Sequence, residues 1–164
     1  MILPTALTKS VNYAPLPLVE RAARLVFNQM LRQHPNVFDR LGTHASKSFR
    51  FTPSDLDLSF LIVPARRSIT VTRKSRSMAA DTSAGGPILT LLALLEGRID
   101  GDAMFFSRSL SIAGDMEAML ALRNALDDSG FDLPRDLGKA AGPLAPLVTR
   151  LAQSIRDRAM VGLA

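Results

Sequence analysis

The chain has 164 residues, 47% apolar and 21% charged, enough for one packed domain with appendages. It contains no cysteine, which excludes disulfides, thiol nucleophiles and thiolate metal sites. The net charge of +5 sits in the first half: residues 1–76 hold twelve Lys/Arg against four Asp/Glu, and residues 77–164 hold eight against eleven. A basic half of this kind favours an anionic membrane surface, an acidic partner or nucleic acid. Nucleic acid is the weakest of these, because eight Phe, one Tyr and no Trp supply few stacking platforms. Ile88 to Leu95, the most apolar run, is far shorter than the ~20 residues of a membrane span. The opening M-I-L-P-T-A-L-T-K-S lacks the charged start and long apolar core of a signal peptide, so a cytoplasmic location is expected.

Residues 1–14 read as a loose arm. Pro15 and Pro17 then introduce a helix over about 18–33, with Pro17 pre-set for the first turn and Pro35 as the stop. Its expected apolar stripe is Leu18, Ala22, Leu25, Val26 and Met30. A shorter helix over about 36–41 should end at Gly42 in a left-handed cap. The pattern then changes to period two. Residues 48–52 form a strand, Pro53-Ser54-Asp55 a turn, and Leu56, Leu58, Phe60 and Ile62 alternate along a second strand. A third strand follows Arg66-Arg67, with Ile69 and Val71 facing the core. A short fourth is expected over 78–82, ended by Gly85-Gly86-Pro87, which starts the buried helix Ile88 to Leu95.

The most informative stretch is Ile99 to Leu126. Asp100-Gly101-Asp102 forms a turn, Met104, Phe105 and Phe106 an apolar knot, and Leu110 and Ile112 one face of a fifth strand. After Gly114, Asp115 caps a helix whose expected apolar face is Met116, Met119, Leu120 and Leu126. Beyond Asp127-Asp128-Ser129-Gly130 the chain turns irregular, with a hinge over 138–143. A last helix, about 144–158, has its stripe at Leu144, Leu147, Val148, Leu151 and Ile155. The order helix, helix, strands, helix, strand, helix makes an α+β fold: a mostly antiparallel five-stranded sheet packed against helices.

Phe105-Phe106-Ser107, Leu110, Ile112 and Gly114-Asp115-Met116, with Leu120 close to a final apolar position, resemble the pattern F-F-S-x-x-L-x-I-x-G-D-M-x-x-x-x-L of the sterol carrier protein type-2 family. Asp81-Thr82-Ser83 and the helix ending at Glu96-Gly97 match its upstream D-x-[TS] strand and apolar helix. The resemblance covers roughly residues 36–128. Within the family, the arginine-rich hairpin, the L-R-N-A-L-D-D ending and the extra terminal helix are similar to the bacterial accessory factors of ubiquinone biosynthesis (the UbiT-like group). The resemblance implies a lipid-holding tunnel between sheet and helices in a domain over 15–137, with an added helix over 144–160. Candidate lining residues are Phe60, Ile62, Val71, Leu89, Leu92, Phe105, Phe106, Met116, Met119 and Leu120. Methionine suits such a wall because it repacks around a flexible guest, although plain core looks the same in sequence.

Reactive chemistry is poorly supplied. His34 and His44 have no carboxylate at ligand spacing, so a metal would need acidic partners from afar. No serine sits in a G-x-S-x-G elbow, and Gly85-Gly86-Pro87 lacks the Lys and Ser/Thr of a phosphate loop. The expectation is no enzyme, no metal and no cofactor. Arg66, Arg67, Arg73, Lys74 and Arg76 put five cations in eleven residues with no acid among them. They form either a solvated hairpin or a contact for anionic headgroups, each worth about 1 kcal/mol at a charged surface. The terminal helix fits two roles, a cap on the cavity or an interfacial helix lying on the membrane.

The residues and the resemblance together lead to a non-enzymatic lipid-binding protein whose partner is a prenylquinone precursor or a phospholipid. It would work in the cytoplasm or peripherally on the inner membrane, alongside ubiquinone biosynthesis enzymes and without nucleic acid. The alternatives are a scaffold of the same fold with a filled core, a general phospholipid or fatty-acyl carrier, and an enzyme of small hydrophobic substrates.

Overall fold

The computed structural model describes residues 5–96, 110–132 and 135–136. In chain order these form α1 (Thr5–Tyr13), α2 (Leu16–Gln33), a 3-10 stretch (Asp39–Ser46), β1 (Phe49–Pro53), β2 (Ser59–Val63), β3 (Ser68–Thr72), β4 (Thr82–Gly86), α3 (Ile88–Leu95), β5 (Ser111–Gly114) and α4 (Met116–Asp128). The expected loose arm is thus helical over most of its length. Val11 packs against an apolar cluster, and the Asn12 side-chain oxygen accepts the Asp57 amide at 2.8 Å, which fixes α1 to the turn before β2. Residues 78–81 are not a strand, and only Thr82 of the expected 78–82 segment belongs to one, as the first residue of β4. The helix expected over 36–41 is replaced by the 3-10 stretch, which bends at Gly42 with φ 54°.

The five strands form one sheet in the order β3-β2-β1-β4-β5. The first three make an antiparallel meander, β4 joins β1 in parallel, and β5 closes the other edge antiparallel to β4. One parallel pair in an otherwise antiparallel sheet follows from the return of the chain across the sheet after β3. Alternation turns Phe49 and Phe51, Phe60 and Ile62, Ile69 and Val71, and Ala84 and Ile112 to one face, where the helices lie. The opposite face carries Arg50 and Thr52, Thr70 and Thr72, and Ser83 and Ser111.

The fourth strand lies four residues later than its expected position and runs through Gly85-Gly86 instead of ending before them. Parallel pairing with β1 supplies the backbone hydrogen bonds that local propensity does not predict. Glycine fits at 85 without disturbing its neighbour, since a Cβ there would sit 2.7 Å from Ser111 Oγ on β5 and that hydroxyl would have to move. The start of the strand is held by a clasp. The Ser48 amide and hydroxyl both donate to Asp81 Oδ2 at 2.7 Å, and the Asp81 amide donates back to Ser48 Oγ at 3.0 Å.

Two helical stripes differ from the sequence pattern. In α2 the core takes Phe27, Met30 and Leu31, with Val19 and Ala23 packed on the smaller cluster, while Leu18 and Leu25 are 61% and 60% exposed. Both sets recur at helical spacing, and the position of α2 over β3 selects between them. In α4 the buried face is Ala118, Met119, Leu122, Ala125 and Leu126, whereas Met116 and Leu120 are each 54% exposed. Two of the five buried residues are alanines, whose small side chains permit close packing of the helix on its neighbours.

Candidate functional site

The apolar layer between sheet and helices is divided into two clusters. The larger joins Phe27, Met30 and Leu31 of α2, Val37, Phe38 and Leu41, Phe49 and Phe51 of β1, Leu91 and Leu94 of α3, Leu110, and the inner face of α4. The smaller consists of Leu56, Leu58 and Val71, flanked by Val11, Leu16, Val19 and Ile88. Phe60 packs against both clusters, and Phe60, Ile62 and Ile69 are half-buried rather than sealed.

Of the expected lining residues, Phe60, Ile62 and Met119 come together at the larger cluster, and Val71 meets Phe60 at the smaller one. Leu89 and Leu92 are half-buried on α3 and belong to neither cluster. Met116 and Leu120 stand on the outer side of α4. Phe105, Phe106, the hinge over 138–143 and the terminal helix lie outside the described residues.

Thr90 is a feature that periodicity did not single out. It is 0% exposed on the inner side of α3, and its Oγ1 has no hydrogen-bond partner. The sequence signal was the lone hydroxyl in I-L-T-L-L-A-L-L. Its usual helical acceptor four residues back, the Gly86 carbonyl, receives the Ser54 amide at 2.8 Å and makes no bond with Thr90 Oγ1. An unmade hydroxyl in an apolar layer costs about 1–3 kcal/mol. A guest with a hydroxyl or carbonyl oxygen within reach would remove that cost.

The motif residues have structural reasons. Gly114 has φ 86°, and any side chain there would overlap the Asp81 carbonyl. The Asp115 amide donates to that same carbonyl at 3.1 Å, while Asp115 Oδ1 accepts the Ala118 amide at 2.9 Å as the α4 N-cap. The Ala118 hydrogen bond holds the Asp115 carboxyl below its ordinary value, with Lys47 nearby adding to the effect. Hydrogen bonds from the Ser48 hydroxyl and amide hold Asp81 down in the same way. The G-D of the pattern therefore buckles β5 and α4 onto the start of β4.

His34 finds a partner that its sequence neighbourhood did not offer. Its Nε2 lies 3.0 Å from Asp136 Oδ2, and Asp136 is 3% exposed although 102 residues away. Among the described residues no group of three or more His, Cys, Asp or Glu could hold a metal ion. The five cations do not form one patch. Arg66 and Arg67 precede β3, whereas Arg73, Lys74 and Arg76 follow it, about 17 Å further along at ~3.3 Å per residue. Arg67 donates to the Pro35 carbonyl at 3.0 Å, Arg73 to the Ala14 carbonyl at 2.7 Å and Lys74 to the Ser54 carbonyl at 3.3 Å, so three of the five are engaged with backbone. No helix of the described residues is long and apolar enough to cross a membrane.

Helices layered on one face of a five-stranded mixed sheet, over an apolar interior with little polar content, define an α+β architecture of the sterol-carrier type. Residues 27–127 match the SCP-2 sterol transfer family, and the chain belongs to that family. No curated protein matches it. Among solved structures it is similar to a UbiJ-SCP2 ubiquinone synthesis protein, with 22% identity over 73% of this chain and 98% of that one, at a TM-score of 0.58. Sterol carrier protein 2 from Yarrowia lipolytica in its apo form is 13% identical over 65% of this chain and 91% of that one, at 0.46. The Aedes aegypti sterol carrier protein-2 in complex with palmitate is 9% identical over 57% and 94%, at 0.43. The first of these shows the fold.

Proposed function

We propose that this protein is a non-enzymatic lipid-binding accessory factor that shields the hydrocarbon tail of a prenylquinone precursor from water. Membership of a sterol transfer family over residues 27–127 carries the reading. The neighbour described as a ubiquinone synthesis protein points to the class of lipid. The driving force is burial of the guest's hydrocarbon, about 0.8 kcal/mol per CH₂, so a handful of methylenes gives useful affinity without a charged anchor. Phe60, Ile62, Val71, Leu89, Leu92, Phe105, Phe106 and Met119 are the side chains proposed to meet the tail. Met116 and Leu120 join them only if the guest reaches the outer side of α4. Partners are the enzymes that act on such precursors.

Docking on an anionic membrane through Arg66, Arg67, Arg73, Lys74 and Arg76 belongs to the same proposal, with the two ends of β3 acting separately. Native mass spectrometry and solvent extraction of the purified protein test the main claim. Bound prenylquinone or phospholipid supports it, and a lipid-free mass with no uptake of fluorescent lipid overturns it. In that second outcome the exposed Leu18, Leu25, Met116 and Leu120 favour a scaffold that binds other proteins through its helices. Flotation with anionic liposomes tests docking: variants with Ser at 66 and 67, or at 73, 74 and 76, should each float less well. Unchanged flotation of both removes the cations from the account.

A further inference from the structure

The sheet face turned away from the helices carries a cleft of about 690 Å³, with Arg50, Ser54, Lys74, Ser83, Gly85 and Ser111 among its lining residues. None of the described residues lining it is acidic. Arg50 Nη1 donates to the Met78 carbonyl at 2.8 Å, which fixes the guanidinium, while Arg50 Nε is buried and has no partner. Lys74 Nζ reaches the Ser54 carbonyl at 3.3 Å, one contact for an ammonium with three donors. The Arg50 and Lys74 side chains that border the cleft are cationic and no described lining residue is a carboxylate, so an anion there would be held by charge-assisted hydrogen bonds.

The cleft has room to admit one. Gly85 faces the cleft, and a Cβ at that position would meet Ser111 Oγ at 2.7 Å, so a side chain would displace that hydroxyl and fill the space. The hydroxyls of Ser83 and Ser111 lie on the same face, with the guanidinium and the ammonium beside them. The Ser111 hydroxyl donates to the Gly85 carbonyl at 3.4 Å, and the planar fork, the point charge and the Ser54 and Ser83 hydroxyls match an oxyanion with three or four acceptor oxygens better than a carboxylate with two. Leu110 lines the cleft and also belongs to the larger apolar cluster, so a chain attached to the anion would have an apolar neighbour.

We propose that this cleft binds a phosphate-class oxyanion, either free or as the headgroup of an amphiphile. The site lies on the other face of the sheet from the proposed hydrocarbon-binding layer, touches it through Leu110, and does not rest on that reading. The test is a ¹⁵N-resolved titration of the full chain at constant ionic strength with inorganic phosphate, dihexanoyl phosphatidic acid and, as a zwitterionic control, dihexanoyl phosphatidylcholine. Saturable shifts at the Ser83, Gly85 and Ser111 amides are expected. Lys74→Gln and Arg50→Gln should each weaken them about tenfold, as loss of a charged hydrogen bond does. Tighter binding of the phosphatidic acid than of phosphate identifies a lipid headgroup, and equal binding identifies free phosphate. No saturable shift with either anion overturns the proposal, as does undiminished binding in both variants. Should Arg50→Gln lose its dispersed spectrum, Lys74→Gln decides alone, because that side chain makes one carbonyl contact and its removal leaves the sheet intact. Failure here leaves the lipid-extraction result untouched, so the two readings fall separately.

Discussion

Replacing Thr90 by valine tests the character of the layer between α3 and the sheet. The substitution keeps the β-branched shape and exchanges one hydroxyl for a methyl. In the native chain Thr90 is 0% exposed and its Oγ1 is unpartnered, with Leu91, Ala93 and Leu94 buried beside it on the same helix. Threonine and valine have similar helix propensities, so the backbone contribution nearly cancels. What remains is the desolvation of an unmade hydroxyl, about 1–3 kcal/mol, which the variant no longer bears. Lipid-free Thr90→Val should therefore be more stable by about 1 kcal/mol or more. For a chain of this size that is a rise of roughly 2–4 °C in Tm per kcal/mol. Urea unfolding of delipidated protein measures it, with the m-value as a check that the unfolded state is unchanged. Under the proposed function the variant should also lose affinity for a lipid bearing a hydroxyl or carbonyl near its tail, and keep its affinity for a bare alkyl chain. A Thr90→Val protein destabilised by 1 kcal/mol would refute the reasoning, because the hydroxyl would then be making a bond worth more than its burial costs.

Gly114→Ala should cost about 1–3 kcal/mol, since it forces a Cβ onto a backbone at φ 86° and against the Asp81 carbonyl. A loss under 0.5 kcal/mol in chemical denaturation would mean that β5 and β4 part there easily. Asp81 and Asp115 both have carboxyls held below the ordinary value of 3.8. Their contribution is fully present above that value and is lost as pH falls through the lower, folded-state value. The urea midpoint should therefore be insensitive to these two groups from pH 7 to 5 and fall below about pH 4. Ser48→Ala should flatten that acid slope; the same slope in Ser48→Ala would show that the clasp does not lower Asp81. In α2, Leu18→Ser and Leu25→Ser should each change stability by no more than about 0.5 kcal/mol, whereas Phe27→Ala should cost about 3–5 kcal/mol. Thermal unfolding of the three variants checks this, and equal losses would mean that the helix presents its other stripe to the core.

The α+β class, the meander of β1 to β3, α3 and the Asp115 cap were legible in the residues, because each rests on interactions within a few positions. Alternation at 68–72, the prolines at 15 and 17 and a capping carboxylate three residues before Ala118 act locally, whatever the rest of the chain does. The family pattern was legible for a related reason: Gly114 and Asp115 are there for a tight approach and a cap, and both demands fix residue identity. Selecting which stripe of α2 and α4 enters the core needed the neighbours. Leu18/Leu25 and Val19/Phe27 are both plausible helical faces, and only the position of β3 beneath α2 separates them. Strand β4 was misplaced by four residues because its parallel partner β1 lies some thirty positions upstream, and pairing with β1 and β5 carries the chain through glycines that would break an isolated strand. The His34–Asp136 pair, the unpartnered Thr90 hydroxyl and the Arg50/Lys74 cleft join residues distant in sequence or depend on what surrounds them. Local preference therefore wrote the elements of this protein, while burial and charge pairing, which are set by the fold as a whole, decided which of its side chains enter the core and which stay exposed.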